Sequence, residues 1–249
     1  MVNSVVSHYE THLAAIYVWM AGGMEHALSL GTKDLAPFLD RPGVAVDLGA
    51  GFGMHSIPLA RAGHQILAVD TSRLLLAELR RHTEGLNVAA IEADLLDFAA
   101  HLRRPADLIL CMGHTLTHLQ GTSEVDRLLR SVAGALRPDG RFVATFRDYR
   151  DLPMDDRRFI SVRSDSERIQ TCFLEATEER VRVHDIIHEK AHDAWAMKVS
   201  SYEKLRLAPE AVLRAAEGLG MRCRIEPGPR GMVMIVAEAP SGISDHGCC

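Results

Sequence analysis

Three glycines and three aspartates, set at the ends of successive apolar runs, are the residues of this sequence best placed to do chemistry. Val46-Asp47-Leu48-Gly49-Ala50-Gly51-Phe52-Gly53 ends an apolar run in glycines at every second position. Glycine adopts backbone angles closed to other residues and leaves room for a ligand to approach the main chain. A helix starting just after such a bend offers unsatisfied N–H groups. Asp70 closes the next run, Ala68-Val69-Asp70, and Asp94 follows the third, in Glu92-Ala93-Asp94-Leu95. An ionised carboxylate only accepts hydrogen bonds, so an Asp at a strand tip suits ligand hydroxyls or an amino group. Structural alternatives stand beside these readings. Thr71 or Ser72 would cap a helix, and Asp94 taken alone would be a turn residue. The dinucleotide fingerprint G-x-G-x-x-G fails, because Met54 stands where its third glycine belongs.

The acid ahead of the glycines, with further acids at two more strand ends, resembles the class I methyltransferases that use S-adenosylmethionine (SAM). Asp47, Gly49, Gly51 and Gly53 match that family's motif I position by position. The resemblance implies a loop of Gly49, Ala50, Gly51 and Gly53, with His55 just beyond, around the methionine part of SAM. Asp47 would help hold its ammonium group. Asp70 and Thr71 would take the ribose. Asp94 would meet the adenine amino group, with Ala93 beside it and Leu95 packed on the ring. Cys111, Met112 and Gly113, at the end of the fourth run, would complete the cofactor site.

In open α/β sheets the site lies beyond the carboxyl ends of the strands, so the acceptor is expected at Cys111–His118. An Asp/Asn-Pro-Pro-aromatic tetrad, typical of enzymes methylating nucleobases or glutamine, is missing there. Gly113 to Leu119 instead looks like small-molecule methyltransferases of the glycine N-methylating type. His114 and His118 would share one side of a helix start. Either imidazole could act as a base, or His114 could simply touch SAM while His118 packs. Arg147 could clamp a carboxylate and Tyr149 orient a polar group, unless Arg147 pairs with Asp148. Arg150, Arg157, Arg158 and Arg163 would favour an anionic substrate or else form a solvated loop. Tyr9, Tyr17 and Trp19 fall among helically spaced apolar residues, which reads first as packing. In the family, helices before motif I cover the acceptor pocket, so these aromatics are candidates to line it.

The elements that must position these residues follow from periodicity. Apolar runs at Val44–Leu48, Gln65–Val69, Val88–Ile91, Leu108–Met112 and Arg141–Phe146 alternate with helical stretches at Ser56–Ala62, Leu74–His82 and Glu124–Leu136. Arg137-Pro-Asp-Gly reads as a turn after the last of these. The alternation predicts a parallel sheet covered on both faces. Two helices, about Glu10–Ala21 and Glu25–Leu30, precede it. Ile160–Val162, Arg168–Glu175, Arg180–Ile187 and Ala196–Lys204 read as an antiparallel meander. A helix at Pro209–Glu217 and a hairpin of Arg222–Glu226 with Val233–Glu238 close the chain. The expected fold is α/β: a Rossmann-like, mostly parallel seven-stranded sheet, N-terminal cap helices and a small antiparallel insertion over the acceptor. The expected divisions are 1–42, 43–150, 151–204, 205–240 and a flexible tail at 241–249.

Bulk properties agree. The 249 residues are 47% hydrophobic and 24% charged, which suits one large domain with a real core. A net charge of -5 argues against gripping a nucleic-acid backbone. Met1 to Met20 do not read as a signal peptide, and no membrane-spanning helix is expected. Five widely spaced cysteines do not read as a disulfide scaffold, and a cytoplasmic location is expected. His188-Glu-Lys-Ala-His192 spells a zinc-protease motif, but it falls between two strands rather than on a helix, so no metal is assigned. His246, Cys248 and Cys249 in the tail are likewise not taken as a metal site. The expected activity is methyl transfer from SAM to an N or O nucleophile of a small metabolite by a monomer or homodimer, with no nucleic-acid or membrane partner. RNA or protein methylation, or SAM binding without catalysis, are the rivals.

Overall fold

The computed structural model describes residues 4–152 and 155–241. The chain opens with α1 (Val5–His8), a π-turn at Tyr9–Leu13, a 3-10 turn at Ala14–Ile16 and α2 (Tyr17–Met20), followed by α3 (Met24–Leu35). The core then runs β1 (Val44–Leu48), α4 (Ser56–Arg61), β2 (Gln65–Asp70), α5 (Arg73–Arg81), β3 (Val88–Glu92), β4 (Ala106–Cys111), α6 (Thr122–Ala135) and β5 (Leu136–Phe146). Four antiparallel strands follow: β6 (Phe159–Ser164), β7 (Arg168–Ala176), β8 (Arg180–Ala191) and β9 (Ala194–Leu205). The core resumes with α7 (Pro209–Glu217), β10 (Arg222–Pro227) and β11 (Val233–Glu238).

Seven strands form one sheet in the order β10-β11-β5-β4-β1-β2-β3, and β6 to β9 form the second. The first sheet is parallel except that β11 runs antiparallel to both neighbours. Strand order reverses between β1 and β4, and open sheets part their crossover helices at such a switch point to leave a crevice. The register makes that crevice useful. Leu48 pairs with Val69 and Asp47 with Leu110, so the tips of β1, β2 and β4 end level with one another. All five residues of β1 are buried. One face packs Ile57, Leu59, Leu76 and Leu79 of α4 and α5, the other Leu128, Leu129 and Val132 of α6. Each such side chain stabilises the sheet by about 1.5–3 kcal/mol.

The structure departs from the sequence expectations in four places. The helix expected over Glu10–Ala21 is broken into short π, 3-10 and α pieces. Its residues serve two surfaces at once. Leu13 and Ile16 pack on Ile187 of β8, while Ala14 packs with Phe52 beyond β1. No single straight helix stripe reaches both. Next, α3 runs past Leu30 to Leu35, because Gly31 is not a stop. A Cβ there would overlap the Met54 carbonyl oxygen, so this glycine allows the helix to lie directly on the motif loop. The Arg137–Gly140 turn lies within β5 as a bulge. Ala106 pairs with Leu136 and Leu108 with Arg141, leaving four residues of β5 opposite Asp107 alone. Lastly, β8 and β9 extend beyond Ile187 and before Ala196, so His188 and Glu189 lie in a strand and His192 in the hairpin turn, with φ 57°. The zinc-protease motif thus straddles a hairpin, as expected. Among the described residues no group of His, Cys, Asp and Glu could hold a metal, and no helix is long and apolar enough to cross a membrane. The tail residues His246, Cys248 and Cys249 lie outside the described residues.

Candidate active site

A cavity of about 680 Å³ opens over the tips of β1, β2 and β4. Of the residues expected to hold cofactor, Gly49, Ala50, Gly51, His55, Asp70, Thr71, Ala93, Asp94, Leu95, Met112 and Gly113 are on its wall. Gly51 and Gly113 face it from the two sides of the switch point, with φ of 54° and 74°. Only Leu75 Cδ1, at 3.9 Å, lies near the place a Cβ on Gly51 would take, and nothing lies within 4 Å at Gly113. Side chains there would fill the cavity, so the glycines make a cradle for something close to the main chain.

Asp70 sits in that cradle with each oxygen already tied to the backbone. Gly51 N donates to Oδ2 at 2.8 Å and Ser72 N to Oδ1 at 2.8 Å. A carboxylate offers about four acceptor positions, so one on each oxygen remains for ligand hydroxyls. Burial raises its pKa, against the lowering effect of those two N–H groups. The capping reading of the neighbourhood is met, since Ser72 Oγ caps α5 by accepting from Leu75 N. Asp94 is similar. Its Oδ1 caps the 3-10 turn Leu95–His101 through Leu96 N at 2.8 Å, while the residue faces the cavity.

Three expected cofactor residues lie elsewhere. Asp47 is 1% exposed beneath the loop, where Ser56 Oγ donates to its Oδ2 at 2.6 Å. Burial raises its pKa. Its place is to tie the start of α4 to the end of β1. Gly53 packs against Leu79 and Ile57, where a Cβ would not fit. Cys111 is buried in the core, and burial pushes its thiol pKa up.

The other half of the cavity carries His114, His118, Tyr9 and Tyr17. His114 Nδ1 and His118 Nε2 are buried without a hydrogen-bond partner. Burial, then the positive charge of Lys204, lowers both pKa values well below the ordinary histidine range. Both rings are therefore neutral near pH 7 and ready to accept or donate one hydrogen bond. Tyr9 stands 5.6 Å from the His118 ring and 5.7 Å from Tyr17, centroid to centroid. Arg147, Tyr149 and Trp19 are not on the wall. Arg147 Nη2 donates to Arg230 O at 3.1 Å, not to Asp148. Tyr149 stacks behind His114 at 6.2 Å and is 4% exposed. Trp19 Nε1 donates to Asp165 Oδ2 at 2.5 Å.

Residues 45–140 match a family model described as a methyltransferase domain. The glycine/sarcosine N-methyltransferase of Aphanothece halophytica is 26% identical over 113 residues, which are 45% of this chain and 42% of that protein. The cypemycin N-terminal methyltransferase of a Streptomyces species is 35% identical over 106 residues, 43% of this chain and 41% of its own. The chain thus spans about two fifths of the length of these curated relatives. The fold of Streptomyces venezuelae DesVI matches with a TM-score of 0.78 over 94% of this chain and 100% of that one, at 18% identity. The seven-stranded fold of this chain is thus shared with a SAM-dependent methyltransferase of known structure.

The cradle of Gly51, Gly113, Asp70 and Asp94 leaves open space beside the main chain and free acceptor positions for ligand hydroxyls. Two features of this cavity escaped the sequence. Arg230, in the turn before β11, lines the cavity and binds Asp34 at 3.2 and 2.8 Å. Asp34 also meets His55 Nε2 at 3.3 Å, and these two partners hold its pKa below the usual carboxylate range despite burial. His26 and Arg163 line the cavity too. Arg163 was visible only as one of a run of arginines. Asp34 and Arg230 carry no local pattern that joins them.

The histidines predict a pH dependence of stability. Burial is the first cause of the lowered pKa in His114, His118, His12 and His64. The unfolded chain binds protons below about pH 6.5, where the folded protein still refuses them, so stability falls as pH drops through that value. For each deeply enclosed histidine the slope is at most about 1.4 kcal/mol per pH unit. Urea midpoints measured from pH 7.5 to 5.5 should decrease steadily. A flat profile would contradict the enclosure of these rings.

Proposed function

We propose that the chain transfers a methyl group from SAM to a nitrogen of a small-molecule acceptor, with oxygen as the alternative nucleophile. The observation that carries this reading is a single cavity with a cofactor cradle at one end and two neutral, unpartnered imidazoles at the other. Its volume lies in the range of small-ligand sites, roughly 300–1,000 Å³. Residues of the N-terminal segment, among them Val5, Tyr9, Tyr17 and Gly22, form part of the wall. That enclosure favours a metabolite over RNA or a folded protein. The name of one curated relative specifies methylation at nitrogen, in glycine and sarcosine.

Bound SAM supplies an electrophilic methyl group on a sulfonium. The protein's part is position. Transfer is an in-line displacement, and holding the nucleophile in line removes much of the barrier. The neutral His114 ring, on the cavity wall, accepts a hydrogen bond from an acceptor N–H, which turns the nitrogen lone pair toward the cradle. With its pKa depressed, His114 is a poor resting place for a proton and serves mainly to orient. Tyr9 and Tyr17 bound the space beside it and exclude water.

The test has two stages. Calorimetry should show binding of S-adenosylhomocysteine. Incubation with SAM and a panel of small amines and hydroxy compounds should then release that product in an acceptor-dependent manner. His114→Ala should lower kcat by about 10²-fold with a smaller change in KM. Absence of nucleoside binding removes the whole reading. An unchanged kcat in His114→Ala removes this histidine's role.

A further inference from the structure

Strand β6 carries a register shift that β7, β8 and β9 lack among themselves. Phe159, Ile160 and Ser161 pair with Phe173, Cys172 and Thr171, but Arg163 is the residue opposite Gln170. Val162 is therefore an inserted residue, and a bulge of this kind re-aims the side chains next to it. Both Val162 and Arg163 contribute to the cavity wall.

Among the described residues Arg163 and Arg158 form no ion pair and each has a buried Nε with no partner, but of the two only Arg163 lines the cavity. Arg157 is matched by Asp155, Arg168 by Glu189, and Arg182 by Glu175 and Glu203. Arg163 Nε is buried with no hydrogen-bond partner. Its guanidinium lies over the Trp19 indole, 5.7 Å from the ring centroid. This stack fixes the plane and leaves the N–H edge to point elsewhere. Nη1 stands 3.4 Å from the position a Cβ on Gly22 would take, and His26 Cδ2 stands 2.6 Å from the same point. Arg163 and His26 thus flank Gly22 on the cavity wall. The other arginine of the cavity wall, Arg230, is already neutralised by Asp34.

We infer that Arg163 binds an anionic group of the acceptor, a carboxylate or a phosphoryl group, so that the far end of that molecule rests on β6. The acceptor's orientation in this inference rests on the cofactor reading above, but the anion site does not. A guanidinium held flat by an aromatic ring presents paired donors that match two oxygens of either group. Arg147, which the sequence offered for this task, is turned away to Arg230 O.

The sequence has two tryptophans, so a Trp195→Phe chain leaves Trp19 as the fluorescent reporter beside Arg163. Sodium phosphate and sodium acetate are titrated against sodium chloride of equal ionic strength, without nucleoside. A saturable change in Trp19 emission with phosphate, acetate or both is expected, and none with chloride. Arg163→Gln should weaken it at least about tenfold, as loss of a charge-assisted bond does. Arg163→Lys should keep part of it, and thermal melts of both variants report folding. Tighter phosphate binding indicates a phosphoryl-bearing acceptor, and tighter acetate binding a carboxylate. A response that only follows ionic strength, or one equal in Arg163→Gln, overturns the inference. Failure of S-adenosylhomocysteine to bind, measured separately, would sink the cofactor reading and leave the anion result standing.

Discussion

Asp70→Ala is expected to weaken S-adenosylhomocysteine binding by about 10²-fold. Hydrogen bonds to a charged acceptor contribute about 1.5–3 kcal/mol each, and the substitution removes the carboxylate assigned to two ligand hydroxyls. It also frees Gly51 N and Ser72 N, which Asp70 holds at 2.8 Å each. The first of these shapes the glycine bend and the second the start of α5, so the cradle loses both a ligand contact and its form. Asp70→Asn keeps one acceptor oxygen and should fall between the two. Calorimetry on the three proteins checks the series. An Asp70→Ala affinity within threefold of the unsubstituted chain would reject the ribose assignment.

Gly31→Ala is expected to destabilise the fold by about 3 kcal/mol, the upper part of the range for overpacking. The added methyl would run into the Met54 carbonyl oxygen, which is backbone and has no rotamer to retreat to. α3 would have to lift from the loop that carries Phe52, Met54 and His55, so cofactor binding should weaken as well. Gly134 in α6 is the control. Nothing lies within 4 Å of the place its Cβ would take, and Gly134→Ala should stabilise by about 0.5–1 kcal/mol through helix propensity. Denaturant melts of both variants settle the comparison. Equal midpoints for the two would mean that helix and loop are not in close contact.

The part of the cavity wall around the glycine bend was largely legible in the sequence, because it is built from short-range order. A glycine bend after β1 and an acid after each of β2 and β3 are set by position along the chain. Parallel strands of matched register then bring their tips together. Even there, sequence overstated some residues. Asp47, Gly53 and Cys111 stand in or beside the right strands, yet they face the core, the loop or α4 rather than the cavity. Alternation fixes which side of a strand a residue takes, but at a strand tip the bend decides, and the bend is a property of packing.

The acceptor half was legible as residue types and not as partners. His114 and His118 belong to one local turn and reach the wall together. Arg147 and Trp19 were sensible candidates, and each found another partner. Arg147 reaches a carbonyl of the turn before β11, and Trp19 reaches Asp165.

By itself the sequence determined the strand–helix order and the placing of the glycine bend, Asp70 and Asp94 at strand ends, since each depends on neighbours in the chain and on the right-handed, parallel way such units must pack. Only the tertiary structure decided which charges face the cavity. His8 meets Asp185 from 177 residues away, and Arg230 meets Asp34 across 196. Pairings at such range are chosen by how the helices and the second sheet close on each other. Arg163 reaches the cavity wall beside the β6 bulge without an ion pair to any carboxylate of the described residues.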